Sequence, residues 1–229
     1  MLSQGSLWKV MDQNKKKLNV AAAAMDHIHN DCILGMGTGS TVNFLIDLIP
    51  DIKNKISAVA SSSLETEKRL KSNGFTVSSL RELGNLDLYI DGADEATDNL
   101  NLIKGGGGAL TREKILAAAS SKFICIIDDT KLVPFLGKFP LPIEVIPMAR
   151  SFVSREMIKL KGQPVWRENF LTDNGNDIID VHNLKITDPL ELEATINQIT
   201  GVVSVGIFAK RSADILLIAN NDGIETINS

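Results

Sequence analysis

The sequence has few of the residues that mark a disulfide-rich, metal-binding or nucleic-acid-binding protein. Its 229 residues include two cysteines and three histidines, and 24 Lys+Arg against 28 Asp+Glu give a net charge of −4. Two cysteines cannot build the disulfide framework of a small secreted domain. His27 and His29 stand apart from other ligand types and His182 is distant, so no zinc-ligand pattern is present. The negative charge gives no general attraction to nucleic acid, and we expect neither a metal nor a nucleic-acid partner.

The chain also lacks a hydrophobic run that could span a bilayer. Residues 20–25 are apolar, but a membrane helix needs roughly 20 such residues. Lys9 and Asp12 interrupt the segment where a secretory signal would need an apolar core. We therefore expect a cytoplasmic protein with no membrane partner. The one basic run, residues 15–17, is expected on a solvated helix face.

What the sequence does contain is apolar material for a folded core. Hydrophobic residues make up 44% of the chain, which is enough to bury one or two ordinary cores. Cys32 and Cys125 both fall within apolar runs, so we expect two inert thiols in buried strands rather than a disulfide, a metal pair or a nucleophile. Aromatic residues are only 5%, which argues for a small polar ligand.

The first part of the chain alternates strand and helix patterns. Helices are predicted at 6–28, 40–49, 63–74 and 111–120, and strands at 31–37, 55–61, 86–92 and 122–129. Ser40 or Thr41 is expected to cap the second helix, and Gly74 to end the third. Continuous apolar strands separated by helices predict a mostly parallel sheet covered on both faces, the doubly wound, Rossmann-like α/β architecture.

From about residue 138 the pattern changes to that of a second, smaller domain. A strand at 140–147, a helix at 149–162, a strand pair at 164–169 and 177–183, a helix opened by Asp188 and a strand at 202–209 follow in order. This βαββαβ order is typical of ferredoxin-like α+β domains. Residues 213–228 then give a strand and an Asn-Asp-Gly turn that can return to the first sheet. We expect residues 1–137 with about 210–229 to form the catalytic domain, and about 138–209 a domain for subunit contact.

Residues 35–41, with the sequence GMGTGST, form a candidate phosphate loop between a strand and a helix. A dinucleotide fingerprint would need glycine at position 40 and an acid after the next strand, where the chain has Ser40 and three serines. A Walker loop would need lysine in place of Gly39. A cradle for one phosphate remains, and the alternative is a tight turn without a ligand.

Residues 88–114 bring together two aspartates, a lysine, four glycines and a glutamate. Asp91 and Asp94 end an apolar strand and are expected to face a cleft, because ligands bind at the carboxyl ends of strands in such sheets. Lys104 offers a positive charge, and the glycine run offers bare backbone amides. Together they suit proton transfer with stabilisation of an oxyanion. The alternatives are turn or capping aspartates, a Mg²⁺ site and a flexible glycine connector.

Several segments, in this order along nearly the whole chain, resemble ribose-5-phosphate isomerase of the A type: GMGTGST, SSS, DGADE, KGGGGALTREK, GKFPLPIEVIPMARS, TDNGN and GVVSVGIFA. Two departures stand out. Asn30 and Asp31 occupy a position where family members often have a glycine turn. The segment up to about Val20 does not match, so a substrate contact from Lys9 or Lys15 is left open.

The resemblance implies interconversion of D-ribose 5-phosphate and D-ribulose 5-phosphate in the non-oxidative pentose phosphate pathway, with no metal or organic cofactor, by a homodimer or homotetramer. It implies that Glu113 is the base that moves a proton from C2 to C1 through an enediolate. The implied substrate-contacting residues are Thr38, Gly39, Ser40, Thr41, Asp91, Gly92, Ala93, Asp94, Lys104, Gly105, Gly106, Gly107 and Lys131.

Within this set the resemblance implies a division of roles. Ser40 and Thr41, with Lys131, would bind the phosphate. Asp91 and Asp94 would handle the sugar hydroxyls, ring opening and proton traffic between O1 and O2. Lys104 and the glycine amides would balance the enediolate charge.

From the residues alone, the role of Glu113 is open. It lies in the first turn of a predicted helix, where the helix dipole favours any glutamate. The two aspartates should raise its pKa and Lys104 should lower it, so the sequence does not give the direction of the net shift. Two other functions stay in view: a sugar-phosphate sensor, which would need no base at Glu113 but normally has a DNA-binding head, and a Mg²⁺-dependent phosphotransferase using Asp91 and Asp94.

Overall fold

The structure is a computed structural model that describes residues 12–229. In chain order, the strands of this part of the chain are β1 (Cys32–Met36), β2 (Ile56–Ser61), β3 (Leu86–Asp91), β4 (Glu95–Ala96), β5 (Leu102–Ile103), β6 (Ser120–Asp128), β7 (Leu141–Val145), β8 (Gln163–Trp166), β9 (Asp177–His182), β10 (Val202–Val205), β11 (Ile207–Phe208), β12 (Ile215–Ala219) and β13 (Ile224–Asn228).

The α-helices of the same part are α1 (Gln13–Met25), α2 (Ser40–Leu48), α3 (Leu64–Ser72), α4 (Leu80–Leu83), α5 (Leu110–Ala118), α6 (Arg150–Lys159) and α7 (Pro189–Asn197). The helix predicted over 6–28 is present as α1 but ends at Met25, and residues 6–11 lie outside the described range. No helix within residues 12–229 is long and apolar enough to cross a bilayer.

The central sheet has six strands in the order β13-β12-β6-β3-β1-β2. All neighbours in it pair in parallel except β13, which forms an antiparallel edge hairpin with β12. Two separate clusters of buried side chains cover its two faces, one built around α1 and α2 and the other including residues of α5. The predicted doubly wound α/β fold, and the return of the carboxyl-terminal strand to this sheet, are therefore confirmed.

A second, antiparallel sheet has the order β10-β7-β9-β8. With α6 and α7 it follows the predicted βαββαβ order, and Asp188 caps α7 by accepting a hydrogen bond from the Glu191 amide at 2.9 Å. Its own buried cluster includes Ile143, Met157 and Ile179. The smaller α+β domain is confirmed, whereas the boundaries at about 138 and 209 stay predictions.

One predicted strand is wrong in its extent. Residues 202–209 form two strands, β10 and β11, that break at Gly206 and pair with different sheets, β11 joining β5 and β4. A side chain at Gly206 would place its Cβ 2.4 Å from the Lys104 carbonyl oxygen. The Lys104 amide donates to the Gly206 carbonyl at 2.9 Å, so this break fixes the backbone that carries Lys104. The strands β4 and β5 have two residues each, which is too short for a periodic signal.

The predicted cap of α2 is also wrong. Neither Ser40 nor Thr41 caps the helix; its N-cap is Gly39, at φ +118°, which has no side chain to cap with. Ser40 is instead the first helical residue. Because the first four amides of a helix have no partner within it, this end of α2 keeps free N–H groups for an anion.

The buried carboxylate of Glu144, on β7, fixes the start of α5 against the smaller domain. It has no exposed surface, and it accepts hydrogen bonds from Thr111 in the first turn of α5 and from Thr172, Asn174 and Asn176 in the loop before β9. One carboxylate therefore connects the helix that carries Glu113 to the smaller domain.

We expect Glu144→Ala to lower the free energy of unfolding by roughly 2–4 kcal/mol, because buried donors left without an acceptor each cost about 1–3 kcal/mol. Urea unfolding measures this change. The matched control is Glu168→Ala, which removes an exposed glutamate of the same domain and should change the free energy by less than about 0.5 kcal/mol. A loss below about 1 kcal/mol in the Glu144 variant would contradict the role given to this carboxylate.

Candidate active site

A cleft of about 170 Å³ opens at the carboxyl ends of β1 and β3, beside the amino-terminal ends of α2 and α5. The residues predicted from sequence that line it are Thr38, Gly39, Ser40, Thr41, Gly92, Ala93, Asp94, Lys104, Gly105, Gly106, Gly107, Glu113 and Lys131. Two residues that were not predicted, Gln13 and Lys17 of α1, line it as well. The fold thus brings distant sequence segments together at one edge of the sheet.

Asp91 is the predicted site residue that does not line the cleft. It is fully buried at the end of β3. Its Oδ1 accepts from the amides of Thr38 (3.0 Å) and Gly92 (2.7 Å), and its Oδ2 accepts from the hydroxyl of Tyr89 and lies 2.8 Å from Lys104 Nζ. The expectation that both aspartates face the cleft is therefore wrong for Asp91, because four donors beneath the surface already surround its carboxylate.

Gly37 shows how closely Asp91 packs under the phosphate loop. A Cβ at Gly37 would lie 2.0 Å from the Asp91 carboxyl carbon. Burial, and then the charges of Asp91 and Glu113, raise the pKa of Tyr89 well above its ordinary value. The Tyr89 hydroxyl therefore keeps its proton and stays a donor to Asp91.

Lys104 carries a buried positive charge between two carboxylates. Its Nζ lies 2.8 Å from Asp91 Oδ2 and 3.3 Å from Glu113 Oε2, and donates to the Gly92 carbonyl at 2.6 Å. Burial alone would lower the pKa of Lys104, but Asp91 and Glu113 outweigh it and raise the pKa above the usual value. The ammonium group is therefore fixed in both position and charge.

Glu113, on the first turn of α5, is the least satisfied polar group of the site. It is 4% exposed. Although Oε2 is near Lys104, it accepts no well-aligned hydrogen bond; among residues 12–229, only this atom and Ser204 Oγ are buried side-chain oxygens or nitrogens without a partner. Burial, followed by Asp91 and Asp94, raises the pKa of Glu113 to about 8, with Lys104 opposing the shift. A buried carboxylate with a raised pKa is a stronger base than an exposed one.

Asp94 faces the cleft and is tied to the glycine run. Its Oδ2 accepts from the Gly106 amide at 2.8 Å, and a Cβ at Gly106 would lie 2.5 Å from Asp94 Oδ1. Burial raises the pKa of Asp94, against the opposing effects of the Gly106 amide, Lys104 and Lys131. Asp94 is therefore a carboxyl group that can exchange a proton at the cleft surface.

The other end of the cleft suits an anion. The uncapped first turn of α2 presents the amides of Ser40 and Thr41, and Lys17 Nζ donates to Ser40 Oγ at 2.9 Å. Lys131, in the turn after β6, lines the same cleft. Helix amides beside two ammonium groups are an arrangement that suits a phosphate group.

Hydroxyl groups of Thr38 and of two serines after β2 hold the loop of residues 35–41 in place. Thr38 Oγ1 lies 2.8 Å from Ser62 Oγ and 2.9 Å from Ser63 Oγ, and Thr66 Oγ1 donates to the Gly37 carbonyl at 2.8 Å. The serines that replace the acid of a dinucleotide site therefore hold the phosphate loop in place.

The basic run at 15–17 is only partly on a solvated face, which corrects the prediction. Lys15 is exposed, but Lys16 is buried and pairs with Asp129 at 2.7 Å, and Lys17 reaches the cleft. A sequence signal existed, since three consecutive helical residues point in different directions, but it does not tell which one meets the cleft. Lys9 lies outside the described residues.

The two thiols are buried, as predicted: Cys32 and Cys125 are free, and burial raises the pKa of each to about 12. His29 is less isolated than its sequence position suggested. Its ligand atom, Cys32 Sγ and a carboxylate oxygen of Asp87 lie within 4.8 Å of one another. The group lies at the other end of β1, away from the cleft.

Several known proteins have a similar fold and a similar sequence. The model of the family ribose 5-phosphate isomerase A (phosphoriboisomerase A) matches residues 58–223. Ribose 5-phosphate isomerase A from Neisseria gonorrhoeae is 44% identical, with a TM-score of 0.94 over 96% of this chain and 98% of its own. A D-ribose-5-phosphate isomerase in complex with phospho-erythronic acid is 36% identical (TM-score 0.91; 96% and 100%). The Plasmodium falciparum ribose 5-phosphate isomerase is 35% identical (TM-score 0.89; 94% and 99%).

The raised pKa of Glu113 predicts a dependence of stability on pH. Between the unfolded value near 4.5 and the folded value of about 8, the native state holds a proton that the unfolded state releases. Stability is therefore lost as pH rises through this window. Glutamine does not titrate, so we expect the Glu113→Gln variant not to lose stability in this way. The free energy of unfolding of the variant minus that of the parent protein should therefore increase by up to about 1.4 kcal/mol for each pH unit.

Urea unfolding of both proteins at several pH values between 4.5 and 8 measures the difference. The control Glu168→Gln, at an exposed position, should follow the parent protein at every pH. Parallel curves for Glu113→Gln and the parent would contradict the raised pKa.

Proposed function

The chain belongs to the ribose 5-phosphate isomerase A family, and we propose how its side chains perform the family's reaction. It is an aldose–ketose isomerase that interconverts D-ribose 5-phosphate and D-ribulose 5-phosphate, a reaction of the non-oxidative pentose phosphate pathway. The observation that carries the assignment of residues is Glu113 Oε2, a buried carboxylate oxygen in the cleft that lies 3.3 Å from Lys104 Nζ but accepts no well-aligned hydrogen bond.

Glu113 is the base. In the open-chain aldose it takes the proton from C2, which leaves a cis-enediolate with a C1–C2 double bond and the negative charge on O1. Transfer of the O2 proton to O1 and return of the proton from Glu113 to C1 then give the ketose. Each proton removed is replaced, so the two sugars are isomers and no oxidant is needed. A pKa raised to about 8 suits a base that must also return its proton.

Charge on oxygen is balanced by the fixed groups beside the base. The ammonium of Lys104 lies 3.3 Å from Glu113 Oε2, close enough to serve both the carboxylate and a developing enediolate. Gly105, Gly106 and Gly107 line the same cleft. In a site that excludes water, donors held in place before reaction stabilise an oxyanion without reorganising.

The two aspartates have different parts in this proposal. Asp94 lines the cleft and carries protons between the sugar oxygens, including the step that opens the ring. Asp91, buried and already accepting four donors, holds Lys104 and the phosphate loop in place. This modifies the role that the resemblance gave to Asp91, because its oxygens face the protein instead of the cleft.

The phosphate occupies the end of the cleft at α2. Its ligands are the first-turn amides with Ser40 and Thr41, and the ammonium groups of Lys131 and Lys17. The complex of a relative with phospho-erythronic acid supports binding of a sugar phosphate, since that molecule joins a phosphate to a planar carboxylate that resembles the enediolate. We expect it to bind this chain with the carboxylate beside Lys104.

A sugar-phosphate sensor is not favoured, because the matching family and the compared structures of high identity are isomerases. A sensor would also have no use for a buried base whose charged form destabilises the fold. A Mg²⁺-dependent phosphotransferase is not favoured either, because the matching family consists of isomerases.

We also propose that residues 138–209 form the subunit contact of a homodimer or homotetramer. Large apolar side chains of this part are exposed, with Met148 at 95%, Leu171 at 65% and Ile158 at 59%, and such surfaces are typical of subunit interfaces. A cytoplasmic location is proposed from the metabolic family and from the two free thiols.

We expect Glu113→Gln to lower kcat at least about a hundredfold while ribose 5-phosphate binding stays within roughly tenfold, as for the loss of a general base. Steady-state kinetics and calorimetric binding measure the two quantities. Glu113→Asp, which keeps the carboxylate but withdraws it by one methylene, should retain more activity than the Gln variant. Normal turnover by Glu113→Gln would show that another group is the base.

A further inference from the structure

Arg167 of the smaller domain reaches the glycine run of the catalytic cleft. It follows β8 directly, and its Nε and one terminal nitrogen pair with both carboxylate oxygens of Asp180, at 2.8 and 2.5 Å. The remaining terminal nitrogen donates to the carbonyls of Gly105 (3.3 Å) and Gly106 (3.1 Å). Since Asp180 lies on β9, a rigid sheet fixes the guanidinium and, through it, two successive peptide groups.

The orientation of these carbonyls determines where the next amides point. The Gly105 carbonyl shares a peptide group with the Gly106 amide, and the Gly106 carbonyl shares one with the Gly107 amide. In a trans peptide the C=O and N–H bonds point in opposite directions. A guanidinium that holds both carbonyls on one side of the loop therefore turns both amides to the other side, which is the side of the cleft.

The observed contacts agree with this geometry. The Gly106 amide donates to Asp94 Oδ2 at 2.8 Å. Gly107 lines the cleft, and no hydrogen bond between described residues uses its amide, so this N–H is available to an oxygen of the ligand. From these contacts we propose that Arg167 is a positioning residue for isomerisation, which aims the Gly106 and Gly107 amides at Asp94 and at the enediolate oxygens.

A loop of glycines needs such a brace. Gly105 and Gly108 have φ values of +108° and +81°, and glycine loses more conformational freedom on ordering than any other residue. The ring of Phe170, three residues after Arg167 and 5.3 Å from its guanidinium, packs against the same loop, because a Cβ at Gly108 would lie 2.2 Å from its Cζ. The smaller domain therefore supplies both the donor and the wall that hold the loop.

Charge adds to orientation. A carbonyl that accepts from a charged donor polarises its peptide group, and hydrogen bonds in a chain strengthen one another in a medium of low dielectric constant. Because the Asp180 carboxylate neutralises the Arg167 charge at long range, the guanidinium acts on the sugar oxygens mainly by polarising the two peptide groups that it contacts. It should matter most when negative charge develops on the sugar oxygens, and less when the neutral sugar binds.

This inference rests on the proposed function and can be tested apart from it. The test measures kcat, KM and the inhibition constant of phospho-erythronic acid for Arg167→Met and Arg167→Lys. We expect Arg167→Met to lower kcat about 10- to 100-fold, less than the roughly 100- to 1000-fold loss on removal of an oxyanion donor itself, because the amides remain and lose only their orientation; KM should stay within about threefold. The inhibition constant should rise in proportion to the fall in kcat/KM, and Arg167→Lys should lie between the Met variant and the parent.

The matched control is Arg150→Met. Arg150 belongs to the same domain, pairs with Asp177 at 3.0 Å and stacks on Trp166 at 3.9 Å, but does not contact the glycine run. Its kinetic constants should stay within about threefold of the parent's. If Arg167→Met does not fold, Asp180→Asn loosens the guanidinium without removing it and should lower kcat in the same way by a smaller factor.

Three results would overturn the proposal: a folded Arg167→Met with kcat within twofold of the parent, a rise in KM and in the inhibition constant with kcat unchanged, or an equal loss of kcat in Arg150→Met. Failure of the proposed function would instead appear as normal turnover by Glu113→Gln. The two failures can therefore be told apart.

Discussion

The site depends on one buried ammonium group. Lys104 lies 2.8 Å from Asp91 and 3.3 Å from Glu113, and neither carboxylate could be buried as an anion without it. Both oxygens of Asp91 are occupied by donors, one of them the lysine, whereas Glu113 Oε2 accepts no well-aligned hydrogen bond. The same ammonium group thus pairs with Asp91, whose oxygens are fully hydrogen-bonded, and with Glu113, whose Oε2 is not. This difference explains why Asp91 has a positioning role and Glu113 is the base.

The two sheets cooperate to maintain this arrangement. The parallel sheet delivers Asp91 at the end of β3 and the phosphate loop at the end of β1. The smaller domain positions the other parts of the site. Glu144 fixes the first turn of α5, which carries Glu113. Gly206 fixes the backbone of Lys104, and Arg167 binds the glycine run. The smaller domain contributes no group to the proton transfer, yet it determines where the base and the amides lie.

Sequence reasoning predicts the fold class because alternating strand and helix patterns carry it locally. It also predicts the phosphate loop and Asp94 at the cleft, since these follow strand ends, whereas the roles of Glu113 as the base and of Lys131 as a phosphate ligand come from the family resemblance. It fails where three-dimensional packing decides. The burial of Asp91 depends on which way the end of β3 faces, and the contact of Lys17 depends on the rotation of α1 against the sheet. The break at Gly206 depends on the close approach of another backbone segment, since a Cβ at this position would lie 2.4 Å from the Lys104 carbonyl oxygen.

The most direct test of the account is proton NMR of the purified protein with ribose 5-phosphate in D₂O containing EDTA. The account predicts that ribulose 5-phosphate appears and that solvent deuterium enters the sugar, because the base exchanges its proton with solvent during the lifetime of the enediolate. If the sugar phosphate binds but is neither isomerised nor exchanged, the account is contradicted, and the chain binds its ligand without the chemistry assigned to Glu113.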